Sequence, residues 1–350
     1  TKKPSRIHQM THRFPVKEIA LQSGLSTATV DRVLNNRAHV SPQTRRRVQD
    51  AIEELSRQEG QLAARGRRVF LDVLVEAPTR FSREIQRASE AVLSEFKPIA
   101  IRPRFKLFET MTPEDCALEL ERIARRGSQG VCLKARDTDL VRAAINALTD
   151  RGIPVVTVFT DNPGSGRLAY AGLNNIRAGQ TAAYLMHKWL PADAATVLTT
   201  LSQHSFQGEE HRYEGFSNQM RALRPSIQLL DASGGGGHNP ATGKEVTGQV
   251  FNQKRIDGVY SMGGGNRAIL AALEDIGLLP TTFIAHDLDE DNLELLAQNR
   301  LSVVLYHDLK CDMRAAFRQC LAFHGLAEAP SQLESDIQIV TPMNLPADYA

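Results

Sequence analysis

The stretch FPVKEIALQSGLSTATVDRVLNN, from Phe14 to Asn36, decides the fold of the N-terminal part of the chain. Apolar residues recur at helical spacing on both sides of the tetrapeptide SGLS at 23–26, which predicts two short helices. Gly24 can adopt the positive φ that ends a helix, and the Ser26 hydroxyl can accept an N–H at the start of the next one. Two helices joined by a tight glycine-containing turn are typical of a helix-turn-helix motif.

The two predicted helices, at about 16–23 and 27–35, differ in their outer surfaces. Both have an apolar inner face, and the second carries short polar side chains and one arginine on its outer face. Short side chains let a helix approach the base edges of a DNA major groove, so this face favours DNA recognition over an ordinary helical hairpin. The inner residues are Val16, Ile19, Ala20, Ala28, Val30, Val33 and Leu34, and the outer residues are Thr27, Ala28, Thr29, Asp31 and Arg32.

The segments that flank this motif are basic. Residues 1–13 are expected to form a flexible basic arm. Ser41-Pro42 is a strong helix start and predicts a third helix that ends at about Ser56. Three consecutive arginines at 45–47 lie early in this helix, and beside a helix-turn-helix we favour phosphate contacts over a solvated face for them. A basic linker at 57–68 follows.

Composition and charge limit the class of protein. The chain has 350 residues with 42% hydrophobic and 23% charged residues, which is typical of a soluble protein of two or three domains. No segment approaches the ~20 apolar residues that span a bilayer, and no signal peptide is recognisable, so we expect a cytoplasmic protein. Residues 1–68 contain 14 Lys and Arg against 6 Asp and Glu, whereas the remainder contains 28 against 34. This asymmetry predicts a polyanion partner for the first part alone.

Sequence motifs for metal binding, cofactor binding or catalysis are absent. The four cysteines lack paired spacing, so we expect buried thiols in a reducing compartment and no metal or cofactor. The run SGGGGH at 233–238 lacks the ending of a phosphate loop and predicts a flexible connection before a helix near Pro240. No Gly-x-Ser-x-Gly or HExxH motif occurs, and we do not expect an enzyme. The cysteines are Cys116, Cys132, Cys311 and Cys320.

From Val69 onwards, short apolar runs alternate with helical stretches, which is the pattern of parallel sheets covered by helices. About ten strands are too many for one such sheet, so we predict two α/β lobes with a cleft between them. The expected fold class is therefore α/β, an all-α headpiece followed by a two-lobed domain with parallel sheets. Strands are predicted at 69–75, 104–108, 130–133, 154–158, 168–172, 196–200, 226–230, 257–261, 282–286, 302–306 and 337–340. Helices are predicted at about 82–96, 113–126, 137–151, 176–189, 209–223, 241–254, 266–277, 290–298 and 309–324.

Residues 14–62 resemble the headpiece of the LacI/GalR family of bacterial transcriptional regulators. The chain from about Val69 resembles the periplasmic-binding-protein-like ligand domain of the same family. The matching headpiece positions are Val16, Ile19-Ala20, Gly24-Leu25-Ser26, Thr29-Val30, Arg32-Val33-Leu34-Asn35, Val40-Ser41, Thr44-Arg45 and Val48. Those of the body are Gly152-Ile153-Pro154-Val155-Val156, Gly172, Asn175, Arg212, Gly215-Phe216 and His286-Asp287.

The resemblance implies a DNA-binding headpiece at 14–57, a hinge or linker at 58–68 and a ligand-binding domain at 69–350. It also implies a homodimeric repressor that binds a palindromic double-stranded DNA operator and a small molecule that changes operator affinity. Leucine-zipper heptads are absent from the C-terminus, which favours a dimer over a tetramer. Lobe 1 is expected at about 69–172 and 303–325, and lobe 2 at about 173–302 and 326–350.

The predicted DNA contacts centre on the second helix. The resemblance assigns Thr27 and Ala28 to base reading and Arg32 to a further base or phosphate contact. A threonine hydroxyl can donate or accept, alanine can contact a thymine methyl, and arginine can bind guanine with two hydrogen bonds. Ser26 and Thr29 suit phosphates at the helix start. The complete predicted set is Ser26, Thr27, Ala28, Thr29, Arg32, Asn35, His39, Arg45 and Arg65.

The hinge departs from the family pattern. The family usually places there a leucine that wedges into the minor groove, but residues 63–68 read AARGRR, with Gly66 or Arg67 at the place of the leucine. Glycine also costs ~1 kcal/mol in a helix interior relative to alanine. We therefore expect either Leu62 as a substitute wedge, or less DNA bending and more reliance on arginines.

The ligand is expected where strand ends of both lobes converge. Asp287 directly follows a predicted strand and can accept two hydroxyl groups, and Arg212 matches a family ligand arginine. Carboxylates, amides and arginine satisfy the hydroxyls of a polyol, whereas aromatic rings cover its C–H faces. The candidate ligand-binding residues are Phe81, Asp161, Asn175, Arg212, Asp287 and His307, with Arg136 as a further position.

Two departures from sugar-binding relatives leave the ligand class open. Phe159-Thr160 stand where such proteins often carry Asp-Arg, and Gly263-Gly264-Gly265 replace a usual polar residue, with Asn266 next. A sugar, a polyol, a sugar acid or another small metabolite would fit. The alternative function is a solute-binding protein of a transport system, which would explain the body but not the basic headpiece.

Overall fold

The computed structural model describes residues 14–38, 40–64, 68–191, 195–202, 206–235 and 238–349. The predicted basic arm at 1–13, together with His39 and Arg65, lies outside the described residues. Two compact units make up the chain, and the second begins at Arg68. Helices and strands are numbered below in chain order.

The first unit contains three helices, α1 (Val16–Ser23), α2 (Thr27–Leu34) and α3 (Pro42–Ala64). Gly24 ends α1 with a φ of 64° and a backbone N–H directed to the carbonyls of the preceding turn, as the sequence predicts. The Ser26 hydroxyl caps α2 by accepting the Thr29 N–H at 3.2 Å. A small core of Ile19, Val30 and Val48, one from each helix, is fully buried.

The third helix is longer than the sequence analysis predicts. We expected it to end at about Ser56 and to be followed by a linker at 57–68, but it continues to Ala64. The residues from 57 to 64, RQEGQLAA, are mostly strong helix formers. A single glycine costs only ~1 kcal/mol in a helix, which is too little to stop the seven other residues.

The second unit consists of two sheets, each formed by six strands of the described chain. Eight of the strand pairs in the described residues are parallel, whereas β12 (Gln338–Val340) runs antiparallel to β10 (Val303–Tyr306). The first sheet has the order β11-β5-β4-β3-β1-β2, with β1 (Arg68–Glu76), β2 (Ala100–Phe108), β3 (Val131–Lys134), β4 (Val155–Val158), β5 (Ala169–Leu173) and β11 (Glu334–Ser335). The second has the order β12-β10-β9-β8-β6-β7, with β6 (Thr196–Thr200), β7 (Gln228–Asp231), β8 (Gly258–Ser261), β9 (Thr282–His286), β10 (Val303–Tyr306) and β12 (Gln338–Val340).

Helices cover both sheets, so each sheet with its helices forms one lobe around its own buried core. The helices are α4 (Thr79–Ala91), α5 (Pro113–Arg126), α6 (Asp139–Thr149), α7 (Asn175–Trp189), α8 (Gln207–Leu223), α9 (Asn239–Val250), α10 (Asn266–Asp275), α11 (Glu290–Ala297) and α12 (Leu309–Phe323). Short 3₁₀ turns occur at Leu93–Phe96 and Ala347–Tyr349. The expected fold class is confirmed.

The expected lobe boundaries near the C-terminus are wrong. We expected 303–325 in lobe 1, but β10 pairs with β9 and β12 in the second sheet, and only α12 returns to the first lobe, where it packs on β4 and β5. We expected 326–350 in lobe 2; β12 in this range pairs with β10 in the second sheet as expected, but β11 pairs with β5 in the first sheet. The buried sequence VVLY of β10 is apolar throughout and fits either sheet, so only the pairing partner decides its lobe.

Candidate functional site

The exposed face of α2 carries the residues predicted to contact DNA. Thr27, Ala28 and Arg32 are exposed, and Val30 on the opposite face is fully buried. Ala28 therefore belongs to the outer surface and not to the apolar stripe in which the helical spacing also placed it. Short side chains at the start of this face leave the backbone accessible to a flat or grooved partner.

Two of the predicted contact residues also shape the ends of α2. The hydroxyls of Ser26 and Thr29 lie 2.8 Å apart at the helix start. At the other end, the Asn35 amide donates to the Asp31 backbone oxygen at 2.9 Å and to its carboxylate at 2.8 Å. The Asn35 amide would have to break these hydrogen bonds to Asp31 before it could contact DNA, because it already donates to groups in the last turn of α2.

The arginines at the start of α3 divide into two groups. Arg45 and Arg46 are exposed, as a phosphate contact requires. Arg47 is also exposed, but it donates from Nη2 to the Ser23 carbonyl oxygen at 2.7 Å. This bond satisfies a carbonyl at the end of α1, so Arg47 fixes the turn between α1 and α2.

Within the second unit, the carboxyl ends of strands from both lobes surround a cavity of about 70 Å³. This volume holds only a few water molecules, so the lobes lie close together. Charged and aromatic side chains dominate its wall. Lobe 1 contributes Glu76, Arg80, Phe81, Lys134, Phe159 and Thr160, and lobe 2 contributes Ser202, Phe206, Glu209, Arg212, Met262, Gly263, Gly264, His286, Asp287 and Asp289.

Asp287 is a cavity-lining carboxylate that follows β9 with a φ of 67°. Its oxygens lie 3.9 Å from Arg212 Nη1 and 3.5 Å from His307 Nε2. Burial alone would raise the pKa of Asp287, but its interactions with His307 and Arg212 hold that pKa well below the usual range. Asp287 is therefore ionised and available as a hydrogen-bond acceptor.

Arg212 is held in place by Asn175 at the start of α7 and by Met262 directly after β8. Its Nε donates to Asn175 Oδ1 at 2.7 Å and its Nη1 to the Met262 carbonyl oxygen at 3.0 Å. Helices α7 and α8 can approach closely because Gly179 and Gly215 have no side chains. A Cβ at either position would overlap backbone atoms of the other helix. Asn175, predicted as a ligand contact, thus orients Arg212 and does not line the cavity.

His307 lies behind Asp287 and is fully buried. Its Nδ1 is 2.6 Å from Asp312 Oδ2. Burial opposes protonation, but the carboxylates of Asp312 and Asp287 outweigh it and raise the pKa of His307 to about 9. The positive charge of the resulting imidazolium attracts the Asp287 carboxylate, and His307 itself does not line the cavity.

The remaining candidate ligand-binding residues differ in whether they line the cavity. Phe81 lines the cavity and packs edge-on against Phe159, with ring centroids 5.7 Å apart. Asp161 instead pairs with Arg167 and accepts the Thr157 hydroxyl at 2.6 Å, away from the cavity. Arg136 binds the Glu76 carboxylate through Nε and Nη2 and reaches the cavity only through that partner.

Two wall residues that the sequence analysis missed are Lys134 and Glu209. Lys134 Nζ donates to the Glu76 carbonyl oxygen at 2.8 Å and lies 3.9 Å from the Phe206 ring centroid. Glu209 accepts the Ser202 N–H at 2.6 Å. Burial lowers the pKa of Lys134 and raises that of Glu209. A lysine at the end of the buried strand VCLK, and a glutamate three residues before Arg212 on one helix face, were the available signals.

Two family models match the chain. The model described as bacterial regulatory proteins, lacI family, matches residues 16–56, and the model described as periplasmic binding protein domain matches residues 118–321. The chain belongs to the periplasmic-binding-protein-domain family and carries a lacI-family DNA-binding domain at its N-terminal end. The resemblance stated from the sequence is thereby confirmed, and the chain is a DNA-binding transcriptional regulator with a periplasmic-binding-protein-like domain. Among curated proteins none matches the chain.

Solved structures share the fold of the second unit. A candidate LacI transcriptional regulator from Bacteroides fragilis has 14% identity and a TM-score of 0.70, and covers 81% of this chain and 100% of its own. A glucose-galactose binding protein from Geobacillus stearothermophilus has 17% identity, a TM-score of 0.69 and coverage of 79% and 98%. A solute binding protein from Agrobacterium vitis bound with alpha-D-tagatopyranose has 15% identity, a TM-score of 0.69 and coverage of 79% and 95%. These identities show a common fold alone.

None of the helices in the described residues has the length and apolar character needed to cross a bilayer. In the same part of the chain, no group of three or more His, Cys, Asp or Glu side chains is arranged to hold a metal ion. The glycine run at 233–238, predicted as a connection before a helix near Pro240, directly precedes α9, and residues 236–237 of that run lie outside the described part.

Proposed function

We propose that this regulator is a repressor whose affinity for its operator is switched by a small sugar-like metabolite bound between the two lobes. The observation that carries the proposal is the presence, in one chain, of an exposed α2 face with Thr27, Ala28 and Arg32 and of a cavity lined by Asp287 and Arg212. The first surface suits a major groove, and the second suits a hydroxyl-rich ligand.

The DNA-binding part of the proposal concerns residues 14–57 acting in a homodimer on a palindromic operator. Arg32 would bind a guanine edge, Ala28 would contact a thymine methyl and Thr27 would take either role. Ser26, Thr29 and Arg45 would contact phosphates, since they lie at helix starts on the exposed side. His39 and Arg65 remain predicted contacts. A DNA partner also implies a cytoplasmic protein.

The ligand-binding part rests on the chemistry of the cavity wall. Asp287 is an ionised acceptor, Arg212 is a donor held by two hydrogen bonds, and the rings of Phe81 and Phe159 offer apolar faces. Acceptors, donors and aromatic faces together suit a sugar, a polyol or a sugar acid. Proteins of the same fold have been described as binding glucose and galactose, tagatose or fucose, which supports this class.

A solute-binding protein of a transport system is the second candidate, because many structures of this fold are solute-binding proteins. That function would leave the match of residues 16–56 without a role. We therefore favour the regulator, and we propose no catalytic activity for the cavity.

A gel shift with genomic fragments, followed by a thermal-shift screen of sugars, polyols and sugar acids, tests the proposal. We expect a sequence-selective shift and at least one compound that both raises the melting temperature and changes operator affinity. Arg46→Ala serves as the control for Arg32→Ala, because both are exposed arginines and only Arg32 lies on α2. The absence of any selective shift, with or without ligand, would exclude the proposed function.

A further inference from the structure

Arg80 reaches from lobe 1 into the wall of lobe 2. It lies on α4, and its Nε is 2.6 Å from the Asp289 carboxylate at the start of α11. The two side chains are only 16% and 7% exposed, so this ion pair is shielded from water. Asp289 also accepts the Asn292 N–H at 2.9 Å and thereby caps α11. The contact of Arg80 is thus made to a rigid helix end and not to a loose loop.

Gly264 provides the space that Arg80 occupies. A Cβ at this position would overlap Arg80 Nη2, and the φ of 88° is itself unfavourable for other residues. The triglycine at 263–265 departs from the pattern expected of sugar binders. The close approach of an arginine from the opposite lobe accounts for the glycine at position 264.

A second ion pair crosses the same opening but contributes less. Arg83 lies one turn further along α4, and its Nη2 is 2.7 Å from Glu290 Oε2. These side chains are 54% and 76% exposed. Exposed pairs contribute little in water, whereas removal of one partner of a shielded pair leaves an uncompensated buried charge. Arg83 therefore offers a matched control for Arg80.

We propose that Arg80, Gly264 and Asp289 form an interlobe latch that holds the ligand cleft closed. The small cavity of about 70 Å³ is the consequence, because the latch draws α4 of lobe 1 against the β8–α10 and β9–α11 connections of lobe 2. An effector larger than this cavity enters only after the latch opens. The latch rests on the geometry of the cleft and does not depend on the identity of the ligand.

Hydrogen exchange measured by mass spectrometry on the full, unliganded, DNA-free chain tests the latch. In Arg80→Ala and in Asp289→Asn we expect peptides that cover 262–266 and 79–83 to exchange about tenfold faster than in the wild type, because opening exposes their amides. Asparagine still accepts the capping N–H of α11, so Asp289→Asn removes the charge and keeps the cap. Arg83→Ala is expected to change the same peptides by less than about twofold.

The role of Gly264 is tested by combining its substitution with that of Arg80 and comparing the exchange rates of the single and double variants. Gly264→Ala alone should accelerate exchange as Arg80→Ala does, and the double variant should exchange no faster than about twofold above the faster single variant. Backbone strain at position 264 is present in both backgrounds and cancels from this comparison.

Unchanged exchange in Arg80→Ala, or an effect no larger than that of Arg83→Ala, would overturn the latch, provided that circular dichroism shows both variants folded. The absence of a sequence-selective gel shift would exclude the proposed function without bearing on the latch. A chain that binds no operator but shows the exchange pattern described above would keep the latch and lose the repressor.

Discussion

His307 lies where the chain passes from β10 of the second lobe to α12 of the first, and it offers a quantitative test of the cleft electrostatics. Its Nδ1 is 2.6 Å from the Asp312 carboxylate and its Nε2 is 3.5 Å from that of Asp287. These carboxylates overcome the effect of burial and raise the pKa of His307 to about 9. Protonation of this one side chain therefore favours the folded state.

The size of the effect follows from the difference between the folded and unfolded pKa values. An unfolded histidine has a pKa of about 6.5, and each pKa unit corresponds to about 1.4 kcal/mol. His307 should therefore stabilise the fold by about 3 kcal/mol. Because the folded pKa is the higher one, this contribution is fully present below about pH 6.5 and is lost as the pH rises through about 9.

Urea unfolding between about pH 6 and pH 9.5 measures this loss. The chain has a single tryptophan, Trp189 at the end of α7, whose fluorescence reports on the second lobe. We expect the free energy of unfolding of the wild type to fall over this range by about 3 kcal/mol more than that of His307→Gln. Glutamine can still donate a hydrogen bond to Asp312 but cannot be protonated.

His286 is the matched control for this experiment. It is also buried, but burial and the nearby charge of Arg212 lower its pKa well below the usual value, so it is neutral in both states above about pH 7. His286→Gln should therefore leave the pH dependence between about pH 7 and 9.5 unchanged. Parallel curves for the wild type and His307→Gln would refute the assigned imidazolium.

Four further predictions concern the two binding surfaces. Arg32→Ala should abolish discrimination between operator and unrelated DNA in a gel shift, whereas Arg46→Ala should weaken both alike; retained discrimination would exclude the base contact. Asp287→Ala should weaken effector binding about tenfold or more by calorimetry without loss of DNA binding, and an unchanged affinity would remove Asp287 from the site. Ser26→Ala should lower the thermal stability of the headpiece by about 1 kcal/mol through loss of the cap on α2, with no change in the second unit. Operator affinity should fall steeply with salt, by about 0.9 in the logarithmic slope for each neutralised phosphate, and a flat dependence would reject phosphate contacts by Arg45 and its neighbours.

Local sequence signals were sufficient wherever the physics is local. Gly24 and Ser26 fixed the turn of the helix-turn-helix because a positive φ and a capping hydroxyl act within a few residues. Most strands lie within one to four residues of their predicted positions for a similar reason, since a buried parallel strand is a short, continuous apolar run. The place of Asp287 was also accessible, because a polar residue directly after such a run lies at the carboxyl edge of a sheet.

Contacts between distant segments decided the rest. Lys134 ends a buried strand and lines the cavity, where it donates to the Glu76 carbonyl oxygen 58 positions away, and no local pattern predicts that contact. Likewise, the composition of β10 fits either lobe, and only its pairing with β9 places it in the second lobe.

The sequence by itself thus determined the helix-turn-helix, the two α/β lobes and the place of Asp287 at the carboxyl edge of a sheet, because periodicity, capping and strand ends are properties of neighbouring residues. Only the tertiary structure decided which charges face each other across the cleft. Arg80 and Gly264 are separated by 184 positions in the chain, and they meet only because the packing of the two lobes brings α4 against the triglycine connection.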